Sequence, residues 1–138
     1  MKNILVLCTG NSCRSQMAHG YLENLTDKTK VKIYSAGTKN GKVNQRAIDI
    51  MKEDDIDISK NTSNHVDEYL DVDFDFVITV CDNAKENCPI FPSKAVRIHH
   101  EFEDPSHTKG TEEEIYFHFL KVRKMIKTFC EDFVEANL

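Results

Sequence analysis

Several things are missing from this sequence. None of its apolar stretches approaches the length of a membrane span. Its opening residues, MKNILVLC, carry one Lys and an apolar run too short for a secretion signal. There is no internal repeat, no linker and no low-complexity segment, so residues 1–138 are expected to form one domain around a single core. Basic charge is in deficit: 18 Lys and Arg against 23 Asp and Glu leave a formal net charge of -5. The densest basic group, Lys121 to Lys127, lies on a predicted helix that also carries Glu. Neither a nucleic-acid partner nor a membrane is therefore expected.

What remains is 40% hydrophobic and 30% charged, the balance of a soluble globular protein. The expected setting is the cytoplasm and the expected state a monomer. Disulfides are unusual in that compartment unless they are catalytic. Five cysteines, at 8, 13, 81, 88 and 130, are many for such a chain. An odd number in a reducing compartment points to reactivity before structural bridging.

Apolar patterning gives alternating strands and helices. Asn3 to Cys8 reads as a strand buried on both faces. Met17, Ala18, Tyr21, Leu22 and Leu25 then recur at helical spacing. Residues 30–37 form a second strand, and 44–56 a helix with Asn44 as its N-cap. Residues 74–80 are a third, nearly continuous apolar strand, whereas 95–99 alternates as an edge strand does. A long final helix starts at a capping box, Thr111 with Glu114, and buries Ile115, Phe119, Val122, Ile126, Phe129 and Phe133. This α/β order predicts a parallel sheet covered on both faces, with ligands beyond the carboxyl ends of its strands. Cys8 ends the first strand, Cys81 follows the third and Asp104 lies past the fourth, so one edge should gather all three.

The segment CTGNSCRS, residues 8–15, is the focus of that edge. Gly10 allows backbone angles closed to other residues. The N–H groups of Thr9, Gly10, Asn11, Ser12, Cys13 and Arg14 can then converge at a helix N-terminus, a nest for a tetrahedral oxyanion. The Arg14 guanidinium adds a fork of donors. A thiol of pKa about 8.5 is roughly 3% ionised at pH 7. Loop amides, Arg14 and the Ser15 hydroxyl would raise that fraction at Cys8. The spacing thus builds a nucleophile inside an anion cradle. Cys-x5-Arg alone also fits a buried structural cysteine and a surface ion pair; the flanking strand, Gly, Ser and helix favour the cradle. Cys13 and Cys130 read as packing residues.

Cys81 and Cys88 are separated by six residues. In a helix their Cα atoms would stand about 10.5 Å apart, beyond the roughly 7 Å that a disulfide spans. A bond between them requires local unwinding, which Pro89 and the polar intervening residues favour. Two alternatives are a zinc site with His99 or His100, whose usual ligand spacing is shorter, and a structural pair of thiols. The favoured reading is a redox pair acting with Cys8. Thiolate attack on a phosphoryl group needs one cysteine and an acid. Two-electron reduction of a bound oxyanion needs a second thiol to attack the first sulfur as product leaves. A Cys8–Cys81 disulfide would then pass to Cys88 by exchange. Asp104, in EFEDPSH, is the candidate acid for the departing oxygen, although Asp-Pro also starts turns.

Together, CTGNSCRSQMA, YSAG, AIDIMKEDDIDIS, the Cys81–Cys88 segment with its CPI, and EFEDP resemble the thioredoxin-coupled arsenate reductase family. That family shares its fold and opening loop with the low-molecular-weight tyrosine phosphatases. The likeness covers nearly the whole chain. It implies a three-layer flavodoxin-like fold, with a four-stranded parallel sheet of order 2-1-3-4 and helices on both faces. It implies Cys8 as nucleophile, Arg14 and the loop amides as arsenate ligands, and Ser15 as a group steadying the thiolate. It further implies Asp104 as general acid, Cys81 and Cys88 as the redox-active disulfide of the relay, and thioredoxin or a similar dithiol protein as reductant. Gln16 matches the reductases, where the phosphatases usually carry Pro. Some members bind potassium beside the loop; the equivalents here are Asn11, His19, Ser35 and Asn64, which lack both carboxylates. No metal or other cofactor is therefore expected, a monovalent cation included.

The expected activity is reduction of arsenate to arsenite, with weak phosphatase activity at the same thiol. One rival is a phosphatase hydrolysing phosphate monoesters through Cys8, Arg14 and Asp104, which has no use for Cys81 and Cys88. Another is a non-enzymatic redox sensor or oxyanion-binding module, against which a placed acid at Asp104 argues.

Overall fold

The computed structural model describes residues 1–39, 41–81, 91 and 94–138. Four strands, β1 (Lys2–Leu7), β2 (Val31–Ala36), β3 (Phe76–Thr79) and β4 (Val96–His99), form one sheet in the order β2-β1-β3-β4. Every pairing is parallel. The predicted sheet order is thus the one observed.

Alternation along β1 divides the core. Ile4 and Val6 join a large cluster with α1 (Arg14–Leu25), α2 (Gln45–Lys52) and α3 (Glu112–Asn137). Leu5 and Leu7 face the other way, into a smaller cluster with Ala36, Phe74, Val77 and Phe91. Among the described residues, the helical cover of that second face is a 3₁₀ turn, Val66–Tyr69, whose Val66 and Tyr69 pack on it. β4 is the exposed edge strand its alternation predicts.

α3 starts as expected, with Thr111 and Glu114 capping reciprocally. Phe119, Val122, Ile126 and Phe133 are buried, and Cys130 lies among them fully enclosed. That burial pushes the Cys130 thiol up to about 12, so it is a packing group. Asn44 caps α2 by accepting from the Arg46 and Ala47 amides.

α2 is shorter than its pattern suggests, stopping at Lys52 instead of Ile56. Asp55 is in the left-handed region, φ 59°, and the Asp55 and Ile56 amides bond back to Lys52 and Met51. This is a Schellman stop with Asp where Gly is usual. It turns Ile56 and Ile58 into the core beside α1, where the Gly20 position leaves no room for a side chain.

Candidate active site

The carboxyl end of β1 and the start of α1 meet at a cleft of about 330 Å³. Cys8 to Arg14 form its floor, and Lys39, Asp104, Ser106 and His107 complete the wall.

The loop's carbonyl groups explain how an anion could be held there. Thr9 O accepts from the Thr38 and Lys39 amides, and Ser12 O accepts from the Asn44 amide. Gly10 O accepts from Ser63 Oγ at 3.1 Å, and Asn11 O from Gln16 Nε2 at 3.1 Å. Four successive carbonyls are thereby drawn toward surrounding protein. A loop whose carbonyls are held in this way can offer its amides as a nest for negative charge. At its end Cys13 occupies the N-cap of α1, where its side chain makes no capping hydrogen bond, so the positive end of the helix adds to the field.

Buried side chains fix this backbone. Asn11, Ser15 and Gln16 have no exposed surface. Asn11 adopts φ 47°, a region that Asn tolerates better than most residues. Its Nδ2 donates to Ser35 O at 3.2 Å, and its Oδ1 accepts from Ser15 Oγ at 2.8 Å and Gln16 Nε2 at 3.2 Å. Gln16 also donates to Thr62 O and accepts from Asn61. The Ser15 hydroxyl proton therefore goes to Asn11, and through it Ser15 braces the loop. Behind the loop, Gly37 lies so close that a Cβ there would stand 2.6 Å from Thr9 O and 2.9 Å from Asn11 N.

Arg14 is 3% exposed. Its Nη1 donates to Phe102 O at 3.2 Å, and its Nη2 lies 3.5 Å from Asp104 Oδ2. Asp104, 22% exposed, caps a 3₁₀ turn, Pro105–His107, by accepting from the Ser106 amide and hydroxyl through Oδ1. Its Oδ2 is also 3.3 Å from His107 Nε2. Cys8 is 3% exposed and lines the cleft floor. Burial raises the neighbouring Cys13 thiol far above the ordinary range; the Asp104 charge adds to this and Arg14 opposes it. Cys13 is consequently a neutral thiol at pH 7, and its contribution to the floor is its backbone.

Cys81, just past β3, is fully buried and disulfide-bonded. Cys8, Cys13 and Cys130 are thiols. Cys88 lies outside the described residues. The sequence-predicted loop, Arg14 and Asp104 thus converge on one cleft. Of the four positions considered for a cation, Asn11, His19 and Ser35 come together, with His19 Nδ1 2.7 Å from Ser35 Oγ and Nε2 3.4 Å from Glu23. The Asn64 side chain is instead engaged with Thr62 and Glu68. Among the described residues no group of three or more His, Cys, Asp and Glu is placed to hold a metal. His99 bonds Thr79 and Glu101, while His100 stacks on Phe102. Sequence reasoning missed Lys39, Ser106 and His107 in the wall. The last two adjoin the Asp-Pro signal, but Lys39 arrives by tertiary approach.

Comparison with known proteins gives one consistent neighbourhood. A model described as low molecular weight phosphotyrosine protein phosphatase matches residues 3–138. An arsenate reductase of Halalkalibacterium halodurans is 47% identical over 135 residues, covering 94% of this chain and 96% of the relative. One from Bacillus subtilis is 44% identical over 137 residues, covering 99% and 97%. Among solved structures, an arsenate reductase in the phosphate binding state matches with a TM-score of 0.79 and 30% identity, over 99% of this chain and 98% of the other.

Proposed function

This chain belongs to the low molecular weight phosphotyrosine protein phosphatase family, and on that premise we propose that it reduces arsenate to arsenite through a cysteine relay. The loop amides and Arg14 hold the oxyanion while the Cys8 thiolate attacks arsenic. One oxygen leaves as water, protonated by Asp104. Cys81 then attacks the Cys8 sulfur. The arsenic–sulfur electron pair returns to arsenic, which leaves as arsenite, and a Cys8–Cys81 disulfide remains. Attack by Cys88 on Cys81 frees Cys8 and moves the disulfide to Cys81–Cys88. A cytoplasmic dithiol protein, thioredoxin or one like it, reduces that bond and resets the enzyme.

One observation carries this over plain ester hydrolysis: Cys81 is oxidised while Cys8, in the same buried cluster, remains a thiol. Hydrolysis has no use for a disulfide there, whereas the last state of the relay requires it. The cradle, Arg14 and Asp104 would also support weak hydrolysis of phosphate monoesters, the chemistry named by the family model.

The Cys88→Ser protein tests the relay. It should release one arsenite per enzyme and then stop, because exchange outward is lost. Sustained turnover with thioredoxin at the wild-type rate would remove Cys88 from the scheme. No cofactor enters it. With His19 bonded to Ser35 where a carboxylate would serve a cation, potassium should give no specific stimulation. Steady-state kinetics in potassium against sodium salts, at equal ionic strength, would contradict this by a several-fold gain in apparent arsenate affinity with potassium alone.

A further inference from the structure

We propose that His118, on α3, is a positioning residue for the acid, because its one imidazole ties down both ends of the segment that carries Asp104. The inference rests on the reading of Asp104 as proton donor. Glu103 and Thr108 bracket that segment. His118 Nε2 lies 2.8 Å from Glu103 Oε2, and His118 Nδ1 is hydrogen-bonded with Thr108 Oγ1. An ionised carboxylate can only accept, so Nε2 carries the hydrogen. In the neutral ring Nδ1 then accepts from the Thr108 hydroxyl, and both ring nitrogens are satisfied. The imidazole is 25% exposed, well covered for a surface-layer histidine.

Between the two ties the chain is a tight loop. Asp104 Oδ1 accepts from the Ser106 amide, the Thr108 amide donates to Pro105 O, and Pro105 is buried. Fixing Glu103 and Thr108 therefore fixes where the Asp104 carboxyl stands. No strand does this, since β4 has ended at His99. Arg14 also touches Asp104, but at 3.5 Å, and its donors are the ones an oxyanion needs. The His118 bonds do not compete with substrate. They belong to the second turn of a 26-residue helix anchored by Phe119 and Val122 in the core. A rigid element thus holds the proton donor at working distance, where small misplacements are costly.

The test compares wild type with His118→Leu, His118→Gln and Thr108→Val. It measures arsenate-reduction kinetics and, independently of activity, amide hydrogen exchange along the chain. His118→Leu should lower kcat by roughly 10- to 100-fold while KM stays within about twofold, because the cradle is untouched. Exchange should quicken at Ser106, His107 and Thr108 and stay unchanged over residues 9–16. His118→Gln should recover most of both, since its amide offers a donor to Glu103 and an acceptor to Thr108. Wild-type kcat, or wild-type exchange at 106–108, in folded His118→Leu would overturn the proposal. If that variant does not fold, Thr108→Val, which deletes a single bond, decides by the same exchange measurement. A wild-type protein that reduces no arsenate would sink the proposed function, and exchange would still judge the clamp.

Discussion

Under the floor of the cleft, Asn11, Ser15 and Gln16 are wholly buried and bonded to each other, to Ser35 and to Thr62. On the wall, Asp104 is partly exposed, on a short 3₁₀ turn, with Ser106, His107 and Arg14 about it. The difference separates two tasks. A nest must keep its amides converged whether or not an anion is present. Buried bonds suit this, because breaking one strands a desolvated partner. A proton donor needs its backbone held in place, as the His118 ties hold it, but also a carboxyl open enough to solvent to lose and regain a proton between turnovers. Anion binding and proton delivery should therefore respond to different substitutions.

Cys8→Ser should have the largest effect, abolishing arsenate reduction and phosphate-ester hydrolysis together while an oxyanion still binds the nest. Normal arsenite production by that protein would end the mechanism. Next, Asp104→Asn should lower kcat by about 10²- to 10⁴-fold without weakening phosphate as a competitive inhibitor; parallel loss of both would mean that floor and wall are not separable. Asn11→Ala should do the reverse. It strands the Ser15 hydroxyl and the Ser35 carbonyl, costing about 2–4 kcal/mol in urea unfolding and raising KM for arsenate more than it lowers kcat. A stable Asn11→Ala protein with unchanged KM would erase the contrast.

Smaller effects lie away from the cleft. The Tyr21 hydroxyl donates to Asp54 and holds that carboxyl below its usual range, with Lys127 assisting. A depressed carboxyl contributes stability above its unfolded pKa of about 3.9, and that contribution is lost as pH falls through the lower folded value. Tyr21→Phe should therefore flatten the decline in stability below about pH 4, as followed by thermal melts, and leave KM alone. A decline as steep as wild type would show that the bond contributes nothing. Arg46→Ala should do least. Its pair with Glu112 lies on the exposed surface, so no change in Tm is expected at moderate salt. A clear drop would show that α2 needs that link to α3.

The sequence made the cradle legible because its signals are local: a strand, a glycine, small polar residues and a helix in immediate succession. The start of α3 was legible for the same reason, Thr111 and Glu114 being three residues apart. The end of α2 was not, since nothing in Asp54-Asp55 marks which residue takes the left-handed turn. Cover of the second face by Val66 and Tyr69 shows no periodicity, because a four-residue 3₁₀ turn is too short to have any. Ser15 was recognisable as a hydroxyl beside the nucleophile, but its partner, Asn11, depends on the loop's fold. Lys39 reaches the cleft from beyond β2, and no short-range pattern announces that.

Gly37 has a consequence for how the protein is assembled. A side chain at that position would collide with the backbone of Thr9 and Asn11, so the floor of the cleft takes its shape from a segment nearly thirty residues downstream. The unfolded chain, with β1 and β2 apart, cannot present converged amides. A tetrahedral anion is accordingly a ligand of the native state alone, and mass action makes it a folding agent. At a concentration one hundred times its Kd it would add about 2.7 kcal/mol to native stability. The melting temperature of this protein should therefore report on the oxyanions dissolved around it, whether or not any of them reacts.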